Sequence, residues 1–410
     1  MEILAIVPII LIAAFLLGEM FKRIGLPSVV GQILAGLLFG IPVLKELFFG
    51  EGSTLVIIDF LATLGILLLL FLAGLEIEIE KIKETSRDSI LVSVCSALVP
   101  FTLGFIFVVL LFPEYGFMAG LIFGGALMVT SEGTNVKVLM DFNCLNTRLG
   151  AIMLAAGAID DIFEVSFLAL VVILAKGGSL FDLAMVPVEM IVFLVVAFIA
   201  FKVISKVLLH LDKKRGEETG LFSIVLIFIL VLAALSESLN VGYLIGAILG
   251  GFLLQASLKK ISSKHRADLL NVIKLIAMGF VVPFFFVNVG LTFDINTFLS
   301  NIPMIAVTVI IATFGKILGT LIVKPASSLS WKQLYYVGWG MNSRGAAELV
   351  IALIAIQYGL ISPEIFSALV SMSLITTLIL PPILARGIKH NPGLMDANEK
   401  IEKIKNFGTS

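Results

Sequence analysis

The sequence has few charged residues, two cysteines and almost no net charge, and each shortage excludes a class of protein. Only 14% of its 410 residues are charged, against about 25% in ordinary soluble domains, so the chain is not a soluble globular protein. Its 28 Lys and Arg residues are balanced by 29 Asp and Glu, which leaves no overall basic field for nucleic acid. Cys95 and Cys144 lack metal-ligand spacing, so the sequence predicts neither a disulfide framework nor a zinc site.

Apolar residues, in contrast, make up 59% of the chain and give it a mean hydropathy of +1.13. Apolar runs of about 20 residues recur from Ile3 to Leu384, and a helix of that length crosses the roughly 30 Å hydrocarbon layer. We therefore predict an all-α polytopic membrane protein with about thirteen transmembrane helices. They are predicted at about residues 3–21, 27–44, 54–76, 88–112, 115–141, 147–175, 183–209, 220–238, 241–257, 268–291, 299–323, 333–358 and 363–385.

The Lys and Arg residues of the connecting loops are unevenly distributed. With thirteen spans, one side of the membrane holds 21 of them, and the other holds only Lys45 and Lys176. Because basic loops stay in the cytoplasm, this asymmetry predicts a cell-membrane protein with its N-terminus outside and its C-terminus in the cytoplasm. Residues 1–390 are then one transmembrane domain, and residues 391–410 are a short cytoplasmic tail.

The two halves of the chain contain similar segments. LPSVVGQILAGLL (26–38) resembles VGYLIGAILGGFL (241–253), and FLAGLEIEI resembles FVNVGLTFDI with Gly74 opposite Gly290. The matched segments are seven predicted helices apart, and an odd separation places the two halves in opposite orientations. This is an inverted-topology repeat, which in secondary transporters places the binding site where discontinuous helices of the two halves meet.

A third match falls inside two otherwise apolar spans, where TSEG (130–133) recurs as NSRG (342–345). Polar residues and glycine are poor helix formers, so we expect both spans to unwind and cross there. Glu132 and Arg344 occupy equivalent positions with opposite charges. Glu132 could balance a helix dipole, pair with Arg344 or touch an ion, and Glu348 could be the i,i+4 partner of Arg344. The candidate residues at these breaks are Thr130, Ser131, Glu132, Asn135, Asn342 and Arg344.

Ionisable residues in the middle of apolar spans are expensive, and they are candidates for function. Asp160 and Asp161 lie mid-helix, and Glu164 follows on the next turn as an accessory acid. Two crowded carboxylates in a low dielectric cannot both stay ionised cheaply, so protons and a cation with a preference for oxygen ligands, Na+ or Li+, would compete for them. Lys316 lies at the centre of another span and needs a buried acid as partner, either as a proton-linked switch or as a structural brace.

Four motifs in the same order resemble Na+/H+ antiporters of the second cation:proton antiporter branch, the NapA-type proteins. They are KRIGLPSVVGQILAGLLFGIP (22–42), GAIDD (157–161), FGKILGT (314–320) and GMNSRG (340–345). The resemblance implies that Asp161 is the principal cation ligand, that Asp160 is the proton-linked partner, and that Lys316 forms a salt bridge with Asp160. The Asp-Asp pair suggests electrogenic exchange, and no cofactor is expected besides the transported ions.

The same resemblance implies a homodimer that works as an elevator. Dimer or panel helices at about 1–80 and 183–291 would hold still while core helices at about 88–175 and 299–385 move. The chain departs from the family pattern in Glu132, in Glu164 and in the sequence NSRGAAE, which lacks the common acid directly after RG.

Other functions remain as alternatives at this stage. K+/H+ exchange and cation-coupled symport of an organic anion would use the same scaffold, with Lys316 and Arg344 holding the anion in the second case. Enzymatic catalysis is not expected, because the three histidines fall in loops or in the tail, away from the buried acids.

Overall fold

A computed structural model gives the fold. It describes residues 3–24, 26–49, 53–76, 87–130, 148–175, 180–213, 218–239, 241–345 and 347–390, and within these ranges the regular elements are helices. We number the α-helices in chain order: α1 Ile3–Arg23, α2 Ser28–Gly40, α3 Pro42–Phe49, α4 Ser53–Glu76, α5 Arg87–Leu111, α6 Gly116–Met128, α7 Arg148–Ala175, α8 Leu180–Lys213, α9 Glu218–Ser238, α10 Tyr243–Leu258, α11 Ser263–Ile276, α12 Val282–Thr292, α13 Ile295–Ser300, α14 Ile302–Ile322, α15 Trp331–Gly340, α16 Ala347–Gln357 and α17 Pro363–His390.

Many of these helices suit a membrane environment. Within the described ranges, eight helical segments are long and apolar enough to span a bilayer, or nine if α2 and α3 count as one bent span. A helix satisfies its backbone hydrogen bonds internally, which hydrocarbon requires because it offers no partners. The all-helical membrane fold is therefore confirmed, while the count of thirteen spans stays a prediction.

Two predicted spans of the first unit, defined below, are not single regular helices. The span at 27–44 is wrong as one helix, because α2 ends at Gly40 and α3 starts at Pro42 with an 86° bend between them. Proline lacks an N–H and is suited to the first position of a new helix. The span at 268–291 contains a π turn at Ala277–Val281, next to Pro283, which cannot bond to the carbonyl four residues earlier.

The described residues fall into two compact units. One takes its residues from Met1–Arg23, Ser28–Ile77 and Leu168–Phe293, and the other from Ile24–Pro27, Glu78–Phe167 and Asp294–Ser410. We call them the first and the second unit. The predicted core took in all of residues 88–175, whereas the division falls within α7, after Phe167.

The first unit contains two helix crossings at glycine pairs. In the crossing of α2 and α12, a Cβ at Gly36 would lie 2.8 Å from the Cα of Gly290. In the crossing of α4 and α10, a Cβ at Gly251 would lie 3.1 Å from the carbonyl carbon of Gly74. The repeat places Gly36 opposite Gly251 and Gly74 opposite Gly290, so each crossing is the repeat image of the other. Close packing between the two halves therefore follows the internal repeat.

The second unit contains both of the spans that are expected to unwind. In the span predicted at 115–141, helix α6 ends at Met128 and Val129 is extended, while residues 131–147 lie outside the described ranges, so a break within this span stays a prediction. The span predicted at 333–358 is divided into α15 and α16, so the expected break at residues 342–345 is confirmed. The end of α6 and the break before α16 lie in the same compact unit as α5, α14, α17 and the first part of α7.

Candidate functional site

Asp160 lies in α7 and is 2% exposed. Ser93 of α5 donates a hydrogen bond to Oδ1 of this carboxylate, and Thr130, which follows α6, donates to Oδ2 at 2.7 Å. Asp160 is therefore held as a hydrogen-bond acceptor by side chains from two other parts of the second unit.

Lys316 of α14 supplies the positive charge next to Asp160. Its Nζ lies 3.5 Å from Asp160 Oδ2, and it donates to the Met128 carbonyl and to Thr130 Oγ1, each at 2.5 Å. Lys316 is 0% exposed, so these oxygens replace the water that an ammonium group would otherwise bind. The structure thus brings together two residues that the sequence motifs predict as counter-ions.

Two glycines on either side of Lys316 allow α14 to approach α5 closely. A Cβ at Gly315 would lie 2.8 Å from the Cα of Pro100, and a Cβ at Gly319 would collide with the carbonyl oxygen of Cys95. Backbones approach this closely in membrane proteins where small residues line the crossing. The FGKILGT motif therefore places the lysine at a tight helix crossing.

Arg344 lies in the break between α15 and α16 and is 1% exposed. Its Nη1 donates to the Ala126 carbonyl at 3.3 Å and to the Val129 carbonyl, and its Nη2 donates to the Leu127 carbonyl at 2.9 Å. The last carbonyls of a helix lack partners within the helix and carry a partial negative charge. Arg344 therefore neutralises the end of α6, together with Lys316, which bonds to the carbonyl between them.

The end of α6 contacts the break before α16, and backbone carbonyls make this contact. The predicted partner Glu132 lies outside the described residues, as do Ser131 and Asn135. On the other side of the contact, Asn342 is buried, and its Nδ2 lies 3.4 Å from Thr313 Oγ1.

Glu348 is buried in the first turn of α16, where Oε1 accepts hydrogen bonds from the Gly345 N–H and from Ser373 Oγ, both at 2.7 Å. The Arg344 guanidinium donates to the end of α6, so the predicted i,i+4 pairing of Glu348 with Arg344 stays a prediction. Since α16 starts only at Ala347, helical spacing does not apply across the break. Glu348 instead satisfies the first turn of α16 and fixes it to α17.

The remaining acids are on α7. Asp161 directly follows Asp160 in the helix, and its side chain lies outside what the structure describes. Glu164 is half-buried on the next turn. The predicted roles of Asp161 and Glu164 therefore stay predictions.

Sequence reasoning missed Ser93. Ser89, Ser93 and Ser96 recur at intervals of four and three residues, and all three are buried. This spacing places three hydroxyl groups on one face of an otherwise apolar helix. A polar stripe in a membrane span is the signal that would have pointed to this residue.

A helical membrane bundle with an interrupted span and a buried Asp-Lys pair next to the end of α6 is typical of an ion-coupled secondary transporter. The comparison with protein families agrees with this class. The family model described as sodium/hydrogen exchanger, transmembrane, matches residues 9–386, and the chain belongs to this family.

Several relatives match over nearly their whole length. The chain is 29% identical to a Na+/H+ antiporter of Enterococcus hirae over 94% of this chain and 97% of the relative. It is also 29% identical to the Na+/H+-K+ antiporter GerN of Bacillus cereus, over 97% of this chain and 98% of the relative. Among solved structures, the sodium proton antiporter MjNhaP1 of Methanocaldococcus jannaschii matches with a TM-score of 0.67 and 18% identity, over 94% of this chain and 96% of that one. This last likeness shows a shared fold. The assignment to the second branch of the family stays a prediction.

Proposed function

We propose that the chain exchanges Na+ or Li+ for H+ across the membrane as an electrogenic secondary antiporter. The observation that carries the proposal is the pair of Asp160 and Lys316, buried in the second unit and surrounded by oxygen atoms. A pair of ionisable groups with opposite charge can hold or release a proton when a second cation arrives. The names of the relatives from Enterococcus hirae and Bacillus cereus support the same activity.

The proposed coupling is a competition between charges. The ammonium of Lys316 balances Asp160, and a Na+ ion at Asp161 would add a second positive charge nearby. Like charges repel strongly in a low dielectric, so cation binding favours loss of a proton from the pair, and cation release favours its return. Asp161 is the proposed principal cation ligand, and Asp160 with Lys316 carries the coupled proton. We propose no cofactor besides the transported ions.

The division into two units supports an elevator mechanism as part of this proposal. Asp160, Lys316, Thr130 and Arg344 all belong to the second unit, so the site can move with its hydrogen bonds intact. The first unit is the proposed static part and the contact surface of a homodimer. Crosslinking of single-cysteine variants in native membranes would test both the dimer and the movement.

We further propose that this transporter lies in the cell membrane with its N-terminus outside, as the 21 Lys and Arg residues of the alternate loops indicate. Thiol labelling from either side, at a cysteine placed near residue 52 and one placed in the tail after residue 391, tests the orientation. The two positions are expected to react from opposite sides.

K+ is a second candidate substrate, and the observation that favours it is the printed name of the Bacillus cereus relative, a Na+/H+-K+ antiporter. K+ would use the same acids, because it also prefers oxygen ligands. Cation choice is therefore part of the test below.

The test is pH-gradient dequenching in proteoliposomes, with Na+, Li+ and K+ added in turn. We expect Na+ and Li+ to dissipate the gradient, and we expect Asp161→Asn to abolish the response to every cation, because a neutral amide cannot replace the carboxylate that binds the ion. If the wild-type protein responds to K+ alone, the substrate is K+ and not Na+. A response to none of the three cations would refute the antiporter.

A further inference from the structure

An apolar cavity lies between α4, α9 and α11 of the first unit, and the proposed exchange gives it no role. Its lining residues are all apolar, namely Leu68, Phe222, Leu226, Ile229, Ile273 and Ile276. The cavity is partly open, because the lining residue Ile276 is 38% exposed. Apolar cavities of this kind take up apolar ligands and not water. In a bundle of membrane-spanning helices, the apolar ligand at hand is the hydrocarbon chain of a lipid.

A basic residue lies on the same face of α11 as this cavity. Arg266 precedes Ile273 by seven residues, which is close to two helical turns and about 10 Å along the helix axis. The headgroup region of a bilayer extends about 5 to 7 Å beyond the hydrocarbon on each side. The spacing therefore suits a phospholipid whose chain lies in the cavity and whose phosphate lies at Arg266. A guanidinium is well matched to a phosphate, because it donates two parallel hydrogen bonds.

Polar contacts fix the start of α11 to the end of α8. Nδ1 of His265 lies 2.7 Å from Oδ1 of Asp212, and the N–H of Ser262 donates to both oxygens of this carboxylate at 3.2 and 3.3 Å. The Asp212 carboxylate is thus occupied by groups of α11. The acid of α11 itself, Asp268, lies about 200° around the helix from Arg266. Neither of these two acids competes with a ligand for the Arg266 guanidinium.

We propose that the cavity and Arg266 form a binding site for one anionic phospholipid. An acyl chain fills the space between α4, α9 and α11, and the phosphate accepts hydrogen bonds from the guanidinium. The positive charge favours a headgroup with net negative charge over a zwitterionic one. The bound lipid contacts three helices at once and stabilises the first unit. This inference does not depend on the proposed exchange reaction.

The test is native mass spectrometry of the full-length chain released from detergent micelles, with lipids titrated in. The wild type should bind one phosphatidylglycerol about fivefold more tightly than phosphatidylcholine, as expected for one basic residue near an anionic headgroup. Glycerol 3-phosphate carries the phosphate without the chains, and it should not bind at the same concentrations.

Two variants test the two parts of the site, and each has a matched control on α11. Arg266→Gln should weaken binding of phosphatidylglycerol about fivefold, whereas Lys264→Gln should not, because Lys264 is exposed on the opposite face of the helix. Ile276→Trp fills part of the cavity and should weaken binding of both lipids. Leu275→Trp is its control, because Leu275 is 72% exposed and does not line the cavity.

Several outcomes would overturn the inference. Equal affinity of the wild type for the two lipids would show that the headgroup charge is not recognised. Equal losses in Arg266→Gln and Lys264→Gln would show general attraction to a basic surface. Unchanged lipid binding by Ile276→Trp, or binding of glycerol 3-phosphate as tight as that of the lipid, would show that no chain occupies the cavity. If Ile276→Trp does not fold, the comparison of Arg266→Gln with Lys264→Gln decides, since both changes are at side chains that are not fully buried.

Discussion

Replacement of the buried Asp-Lys pair, singly and together, tests the structure most directly. Lys316→Met removes the ammonium and keeps most of the side-chain volume, and Asp160→Asn removes the facing carboxylate. Removal of one partner of a buried ion pair costs about 3 to 5 kcal/mol, because the other charge is left uncompensated. We expect the lower end, about 3 kcal/mol for each variant, because each remaining charge keeps two other hydrogen-bond partners.

The double variant should be less damaged than the sum of the two single variants. Additivity would give a loss of about 6 kcal/mol, whereas the coupling energies of contacting residues reach about 2 kcal/mol or more, so we expect a loss of about 4 kcal/mol. The assay is thermal unfolding in detergent, in which the shift of the double variant should fall clearly short of the summed single shifts. Additive shifts would refute the contact between Asp160 and Lys316.

Thr320→Val is the control for this cycle. Thr320 is on the same helix as Lys316, it is 0% exposed, and its hydroxyl bonds to the Ile317 carbonyl of its own helix. It has no hydrogen bond to Asp160, so the stability losses of Thr320→Val and Asp160→Asn should be additive.

In transport assays, the double variant at Asp160 and Lys316 should retain some exchange through Asp161, but at a rate that does not respond to an imposed membrane potential. Voltage-sensitive exchange would show that the pair is only a structural brace.

Further predictions concern the glycine crossings, the end of α6 and the hydroxyl group of Thr130. Gly36→Ala or Gly74→Ala should lower the melting temperature in detergent, because the new methyl group meets backbone atoms of the facing helix. Gly220→Ala is the control and should not lower it, because a Cβ at Gly220 would have no neighbouring atom within 4 Å. Equal melting temperatures for all three would contradict the close crossings. Arg344→Lys should reduce both thermal stability and the rate of exchange, because one ammonium cannot bond to the three carbonyls that the guanidinium reaches. A fully active variant would show that the end of α6 needs only a positive charge. Thr130→Val should weaken exchange more than Ser96→Ala, as its hydroxyl contacts both members of the pair, and equal rates would contradict that geometry.

The class of the fold and the buried pair of Asp160 and Lys316 could be predicted from the sequence alone. Hydropathy predicted the membrane helices because hydrocarbon selects apolar side chains over the full length of a span. The cost of a buried charge marked Asp160 and Lys316, because such residues are rare without a function. The polar, Gly-containing motif at 342–345 predicted the break between α15 and α16 for the reason that these residues form helices poorly.

Which atoms meet at this site could not be predicted, because it depends on contacts between distant parts of the chain. The guanidinium of Arg344 bonds to backbone carbonyls, and no sequence pattern marks these, since every residue has one. Glu348 accepts hydrogen bonds from Gly345 and Ser373. Its distance from Arg344 could not be predicted from helical periodicity, because a break lies between the two residues. Ser93 reaches Asp160 because the packing of α5 in the second unit turns its hydroxyl face towards that carboxylate. Short-range patterns determine helices and buried charges, whereas contacts between residues far apart in the chain depend on how the helices pack.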